Sequence, residues 1–246
     1  MLHRTEGIVI RSMDYGENNK IVTLLTAGGK AGVLIRGAKK VRSRYSALAQ
    51  PFTCGEYQYF RTKGLGTLSH GEIIESHHDL RMQLDLSAYA SYIAELTDKC
   101  LQEDEPGGLL YPQLKACLKA LEEGKDPQIV SHLYEMRVLE ASGYAPQLGQ
   151  CVHCGNAVGP FKLSASSGGV ACSRCFGKEP GAQLLSESAW KLLKLFGGLD
   201  MRRLGAIAVK PETKAELKRS MRDLMDMQLG LRLKSRVFLD QLDKLV

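Results

Sequence analysis

Four cysteines fall in two C-x2-C pairs, Cys151-Val152-His153-Cys154 and Cys172-Ser173-Arg174-Cys175. Two thiolates three residues apart on a tight turn can grip one edge of a tetrahedron, and a second such turn supplies the opposite edge. The seventeen residues between the pairs, 155–171, match the spacing of tetrahedral cysteine sites. Gly155 follows the first pair and can take the positive φ that such a turn needs. One structural zinc ion is the expected occupant. The same quartet could hold iron, as rubredoxin-like sites do, or work as two redox dithiols. Unless His153 displaces a cysteine, four thiolates close the site and leave no position for catalysis. Metal binding on the order of 10–16 kcal/mol can order a loop with almost no apolar core. Cys54, Cys100 and Cys117 lack partner spacing and read as small buried hydrophobes.

A second group is cationic. Arg36, Lys39, Lys40, Arg42 and Arg44 fall within nine residues with no acid among them, and Tyr45 follows. Tyr57, Tyr59 and Arg61 then alternate, which puts them on one face of a strand. A single-strand binder combines cations that track phosphates with flat rings on which bases stack. The competing reading is a solvated loop, with the tyrosines in a β core. Lys210, Lys214, Lys218, Arg219 and Arg222 form another basic set, extended by Arg232, Lys234 and Arg236. A helix charge stripe of this kind is usually solvated.

Candidates for catalysis are poor, and no enzyme is expected. Gly64-Leu65-Gly66 lacks the third glycine and the βα context of a dinucleotide loop. Gly28-Gly29-Lys30 lacks the earlier glycine and following hydroxyl of a phosphate loop. His77-His78-Asp79 reads as a polar junction between strands and helices. No nucleophile stands at a recognisable spacing from a base.

These groups need elements to hold them. Thr5–Arg11, Lys20–Thr26, Ala31–Arg36, Phe52–Arg61 and Gly66–Ser76 are short and rich in Ile, Val, Leu and Thr, which predicts five strands. The longest connection, Gly37–Gln50, is the basic one. A five-stranded barrel of the OB type fits, and the spacing leaves another small barrel open. After Ser76 the period becomes helical. Tyr89, Tyr92, Ile93, Leu96 and Cys100 share one face. Pro106-Gly107-Gly108 breaks the pattern before a helix over Pro112–Leu121. Asp126 caps a helix with Pro127 at its first position and Ile129, Leu133, Met136 and Leu139 on one side, closed by Gly143. Phe161–Ser164 and Gly169–Cys172 predict a hairpin between the cysteine pairs. Ser186 caps Glu187–Phe196, Pro211–Leu229 is helical, and a basic-to-apolar tail covers 234–245.

Charge is distributed unevenly. Residues 1–80 hold 11 basic and 7 acidic groups, 81–150 hold 6 and 11, and 151–246 hold 16 and 9. Two basic segments flanking an acidic one suggest polyanion contact at the ends. No apolar run follows the N-terminus and none approaches the ~18 residues of a membrane span. A cytoplasmic protein with reduced cysteines and no membrane partner is expected.

Several short segments, in order, carry a resemblance. They are Gly7-Ile8-Val9-Ile10-Arg11, Glu17 to Asn19, Ile21–Thr26, Gly37-Ala38-Lys39-Lys40, Ser43 and Pro51-Phe52. Then come Leu139-Glu140-Ala141-Ser142-Gly143-Tyr144-Ala145-Pro146 leading into Cys151, Gly168-Gly169 before the second pair, and Leu233-Lys234-Ser235-Arg236. Over essentially its whole length the chain resembles the bacterial RecO family of DNA repair proteins. The resemblance implies an α+β multidomain architecture: an OB-fold over 1–78, a helical domain over 79–150 and 179–246, and an inserted zinc module over 151–178. It implies a recombination mediator that binds single- and double-stranded DNA, anneals complementary strands and helps load recombinase. Implied partners are RecR, single-stranded DNA-binding protein and, indirectly, RecA, with a nucleoid-associated cytoplasmic location. A family pocket in the helices takes the acidic tail of single-stranded DNA-binding protein; the sequence does not place its residues. The family's basic DNA-binding surface carries over onto Arg36, Lys39, Lys40, Arg42 and Arg44. Some relatives lack the cysteine quartet, which is complete here. The alternative is a zinc-ribbon adaptor that grips protein partners and touches DNA incidentally. A hydrolase or redox enzyme would need turnover that depends on Cys151 or Cys172 beyond folding.

Overall fold

The first five strands close into a barrel around a shared apolar core. The structure, a computed structural model, describes residues 1–102 and 106–242; positions 243–245 of the expected C-terminal tail lie outside them. The strands are β1 (Leu2–Tyr15), β2 (Asn19–Thr26), β3 (Gly29–Ile35), β4 (Cys54–Phe60) and β5 (Gly66–Glu75). Their order around the closed barrel is β1-β2-β3-β5-β4, which makes it OB-like. β3 and β5 meet in parallel, and the other pairs are antiparallel.

β1 is long enough to serve two neighbours. Leu2 to Ile8 pair with β4, and Ile8 to Tyr15 pair with β2. Val9, Val22, Leu24, Ala31, Val33, Ile35, Tyr57 and Tyr59 point inward, and Ala38, Leu48 and Ala49 from the 36–53 connection join them. Gly55 is required where β4 crosses β5, because a Cβ there would stand 2.6 Å from the Glu72 carbonyl oxygen.

The chain divides into two compact units, 1–124 with the segment from Leu233 onward, and Lys125–Arg232. In the first, the barrel is joined by α1 (His78–Met82), α2 (Leu84–Cys100), α3 (Leu110–Glu122) and α7 (Lys234–Leu242). Tyr92, Ile93 and Leu96 of the expected α2 face are buried. On α3, Tyr111 and Lys115 donate to the Glu6 carboxylate of β1, at 2.6 and 2.7 Å.

The second unit holds α4 (Pro127–Ala141), α5 (Glu187–Gly198), α6 (Pro211–Leu229) and a sheet of order β6-β8-β7-β9. These strands are β6 (Gln147–Cys151), β7 (Phe161–Ser164), β8 (Gly169–Cys172) and β9 (Gln183–Leu184). Asp126 caps α4 by accepting from the N–H groups of Gln128 and Ile129. Every residue from Ile129 to Leu139 is buried, so α4 shows no single apolar face. Its polar members find partners nearby, with Arg137 Nε left over: His132 meets Glu135 at 2.8 Å, and the Arg137 guanidinium donates through Nη2 to the carbonyls of Phe196 and Gly197, closing the end of α5. No described helix is long and apolar enough to cross a membrane.

Candidate metal centre and nucleic-acid interface

The four thiols are brought together by two strand ends. β6 and β8 run in parallel, with Cys151 opposite Val170, and end at Cys151 and Cys172. The chain turns sharply after each. In the first turn the Gly155 N–H donates to the Cys151 carbonyl at 2.9 Å, with Gly155 at φ +71°. In the second, Cys175 sits on the 3₁₀ turn Ser173–Lys178. The Sγ atoms of Cys151, Cys154, Cys172 and Cys175 all lie within 4.8 Å of one another. Cys154 is exposed and the other three are buried.

The electrostatics suit a cation. Burial pushes the Cys151 thiol up, but N–H groups of Cys172, His153 and Cys154 outweigh it and bring the thiol to about 6. Burial and the neighbouring sulfurs hold Cys175 up at about 12. Four thiolates this close repel one another, and a divalent metal ion removes that conflict. His153 is tied elsewhere. Its Nε2 meets Glu179 Oε1 at 2.7 Å, while Ser164 and Ser167 donate to the same carboxylate at 2.6 and 2.5 Å. The donor set is therefore four sulfurs, able to hold one metal ion.

On the barrel, the 36–53 connection is anchored at its apolar ends and open in the middle. Ala38, Leu48 and Ala49 are buried. The Lys39 N–H donates to the Asn18 carbonyl and the Gly37 N–H to Asn19 Oδ1, both at 3.0 Å, pinning the loop to the β1–β2 turn. From just before the first anchor to the middle of the loop, Arg36, Lys39, Lys40, Arg42 and Arg44 are all exposed. Lys39 reaches Asp14 at 2.7 Å, the one carboxylate contact of these five among the described residues. The Arg44 guanidinium lies 4.6 Å from the Tyr45 ring centre.

The tyrosines of β4 are elsewhere than expected. Tyr57 is fully buried and donates its hydroxyl to the Leu48 carbonyl at 3.1 Å. Tyr59 is 5% exposed, and His3 stacks on its ring at 5.4 Å. Their shared face is real, but it is the inner one, so base stacking on either ring is corrected to a core role. Arg61 is half-buried, beyond the end of β4. Exposed apolar groups nearby went unnamed by the sequence. Val41 projects fully between Lys40 and Arg42, and Tyr15 is 53% exposed at the end of β1. An apolar residue inside a cation run was the available signal for Val41. Of the helical basic set, Lys214 is engaged by Asp126.

Comparison with known proteins covers nearly the whole chain. The profile described as Recombination protein O N terminal matches residues 1–77, and that described as Recombination protein O C terminal matches 81–237. Among similar proteins, one named DNA repair protein RecO from Bacillus pumilus is 46% identical over 246 residues, covering 100% of this chain and 96% of the relative. The protein of the same name from Bacillus subtilis is 45% identical with the same coverage. One from Listeria monocytogenes is 43% identical over 244 residues, covering 99% of this chain and 96% of the relative.

Proposed function

The chain belongs to the recombination protein O family of DNA repair proteins, and from that premise we propose that it binds single- and double-stranded DNA through the 36–44 loop and anneals complementary strands without acting as an enzyme. The observation that carries this is the run of five exposed cations held on the barrel by buried anchors at both ends. Two DNA strands repel each other. Cations that neutralise their phosphates let them approach, and released counterions supply the free energy. Pairing is accelerated with no covalent step and no nucleotide hydrolysis.

In this reading the loop tracks phosphate, and Val41 and Tyr15 supply the apolar contact to bases that the buried Tyr57 and Tyr59 cannot. The cysteine quartet binds one zinc ion, which orders the 147–184 segment and leaves no coordination position for water. The function is that of a mediator. It works with RecR and with single-stranded DNA-binding protein to place RecA on covered DNA, in the cytoplasm and on the nucleoid.

The test is a titration of a fluorescent single strand across a salt series. Four unpaired cations on single-stranded DNA give a slope of log K on log salt of about −3. Replacing Lys39, Lys40, Arg42 and Arg44 together by alanine should weaken binding, flatten the slope to about −0.7 and slow annealing. Unchanged affinity in that variant would remove the loop from the mechanism.

A further inference from the structure

A groove beside the barrel has a strand edge for one wall. β4 runs along β1 as far as the Ile8–Cys54 pair, and the line continues for one step as Val9 exchanges backbone bonds with Thr53 and Phe52, at 3.0 and 2.8 Å. There the chain leaves β1. Phe52 makes the departure in the left-handed region, φ +71°, a conformation that a non-glycine residue holds only when its surroundings impose it. Phe52 is buried, and Arg81 braces the diverted segment by donating to the carbonyls of Pro51 at 2.8 Å and Ser76 at 2.6 Å.

The consequence falls on β1. From Arg11 to Tyr15, past a bulge at Ile10, it pairs with β2 on one side, and among the described residues no strand pairs with its other edge from Ile10 onward. Along that edge lies a cavity of about 550 Å³. Ile10, Arg11 and Ser12 form one wall, Pro51 and Phe52 close one end, and Ser87, Ser91 and Ala94 of α2 face across. Ser12 Oγ is buried without a hydrogen-bond partner. A strand edge, a helix opposite and a stored backbone strain that keeps the site open are a combination with one natural complement.

We propose that this groove binds an extended, uncharged peptide segment of a partner protein, which adds to β1 as an antiparallel strand in the line that β4 abandons. The edge is unpaired over six residues, roughly 20 Å of strand, of which Ile10 to Ser12 line the cavity, and the backbone groups that do not bond to β2 are the donors and acceptors it offers. The charges in the walls are already engaged, Arg11 with Asp98 at 3.6 Å and Glu95 with the first turn of α7. They select against a charged side chain directed inward. The two guanidiniums of the wall, Arg11 and Arg81, balance its two carboxylates, Glu95 and Asp98, so it offers no net positive charge to a phosphate backbone, and the site is distinct from the 36–44 loop and independent of the DNA reading. Alternate peptide side chains would meet the apolar Ile10, Phe52 and Ala94, or the serine hydroxyls.

The experiment uses the full chain and a phage-displayed library of random peptides. Recovered peptides are synthesised and titrated against wild type and Ser91→Arg, which fills the groove from the surface of α2. Affinity should fall about tenfold or more in Ser91→Arg, with thermal midpoint and DNA affinity unchanged. Backbone amides within Ile10–Asp14 should exchange more slowly in the complex. The proposal is overturned if no peptide is recovered, if Ser91→Arg binds equally well, if those amides gain no protection, or if a short single-stranded oligonucleotide displaces the peptide.

Discussion

Tyr57 uses its hydroxyl inside the protein. Its bond to the Leu48 carbonyl ties the far anchor of the cation loop to the barrel wall. The residue therefore supports the loop without facing the ligand. Tyr57→Phe keeps the ring in the core and leaves one buried carbonyl unsatisfied, which should cost about 1 kcal/mol of unfolding free energy in urea. Affinity for single-stranded DNA should stay within about twofold of wild type, since neither phosphate nor base contact is lost. A large loss of affinity at unchanged stability would return the tyrosine to the interface. The misplacement of Tyr57 and Tyr59 has a simple origin. A period of two assigns residues to a common face and says nothing about which face is inside. In a closed barrel that choice is made by strands distant in sequence. The cysteines needed no such information to be read as one set, because the pair spacing marks them, although it is the pairing of β6 with β8 that brings their sulfurs together.

At the scale of elements, α7 is held by its first turn. Glu95 on α2 accepts from the N–H groups of Lys234 and Ser235, at 3.1 and 2.8 Å, and from the Ser235 hydroxyl. These are donors that a helix start leaves without intrahelical partners. Burial works against the Glu95 carboxylate, yet the bonds from Ser235 and Lys234 hold its pKa below the usual value. A depressed folded pKa means that the stabilisation is complete above the unfolded value, about 4.3, and is lost as pH falls through the folded one. Glu95→Ala should therefore speed amide exchange in 234–242 at neutral pH while the barrel strands keep their protection. Wild type should approach that behaviour as the pH drops below about 4. Equal exchange in the two proteins at neutral pH would show that the carboxylate does not secure α7. Elements with local signals were legible from sequence. The hairpin Phe161–Ser164 with Gly169–Cys172, the Asp126-Pro127 start of α4, the Ser186 cap and the span of α6 all stand as read. β6 and β9 were not. β6 is defined by parallel pairing to β8 across the first cysteine turn, and β9 is two residues joined to β7, so neither has a periodicity of its own.

At the scale of the whole chain, the two compact units divide the chemistry between them. The cation loop and the strand-edge groove belong to the unit that contains the barrel, and the cysteine quartet belongs to Lys125–Arg232. The barrel interior is the buried cluster of the first, and in the second every residue of α4 from Ile129 to Leu139 is buried. Metal binding is linked to the folding of the segment that supplies its ligands, so its removal acts on one unit. Chelation of the purified protein should release one metal ion per chain and lower the unfolding transition that reports Trp190, whose indole donates to the Leu148 carbonyl on β6 at 2.8 Å. The transition of the barrel unit should stay where it was, and the affinity for single-stranded DNA should change by no more than about twofold, because the cation loop proposed to meet phosphate belongs to the other unit. Cys172→Ser should reproduce the chelated state. A coincident fall of both transitions, or loss of DNA binding along with the metal, would mean that the quartet supports the interface directly and that the two units do not act separately.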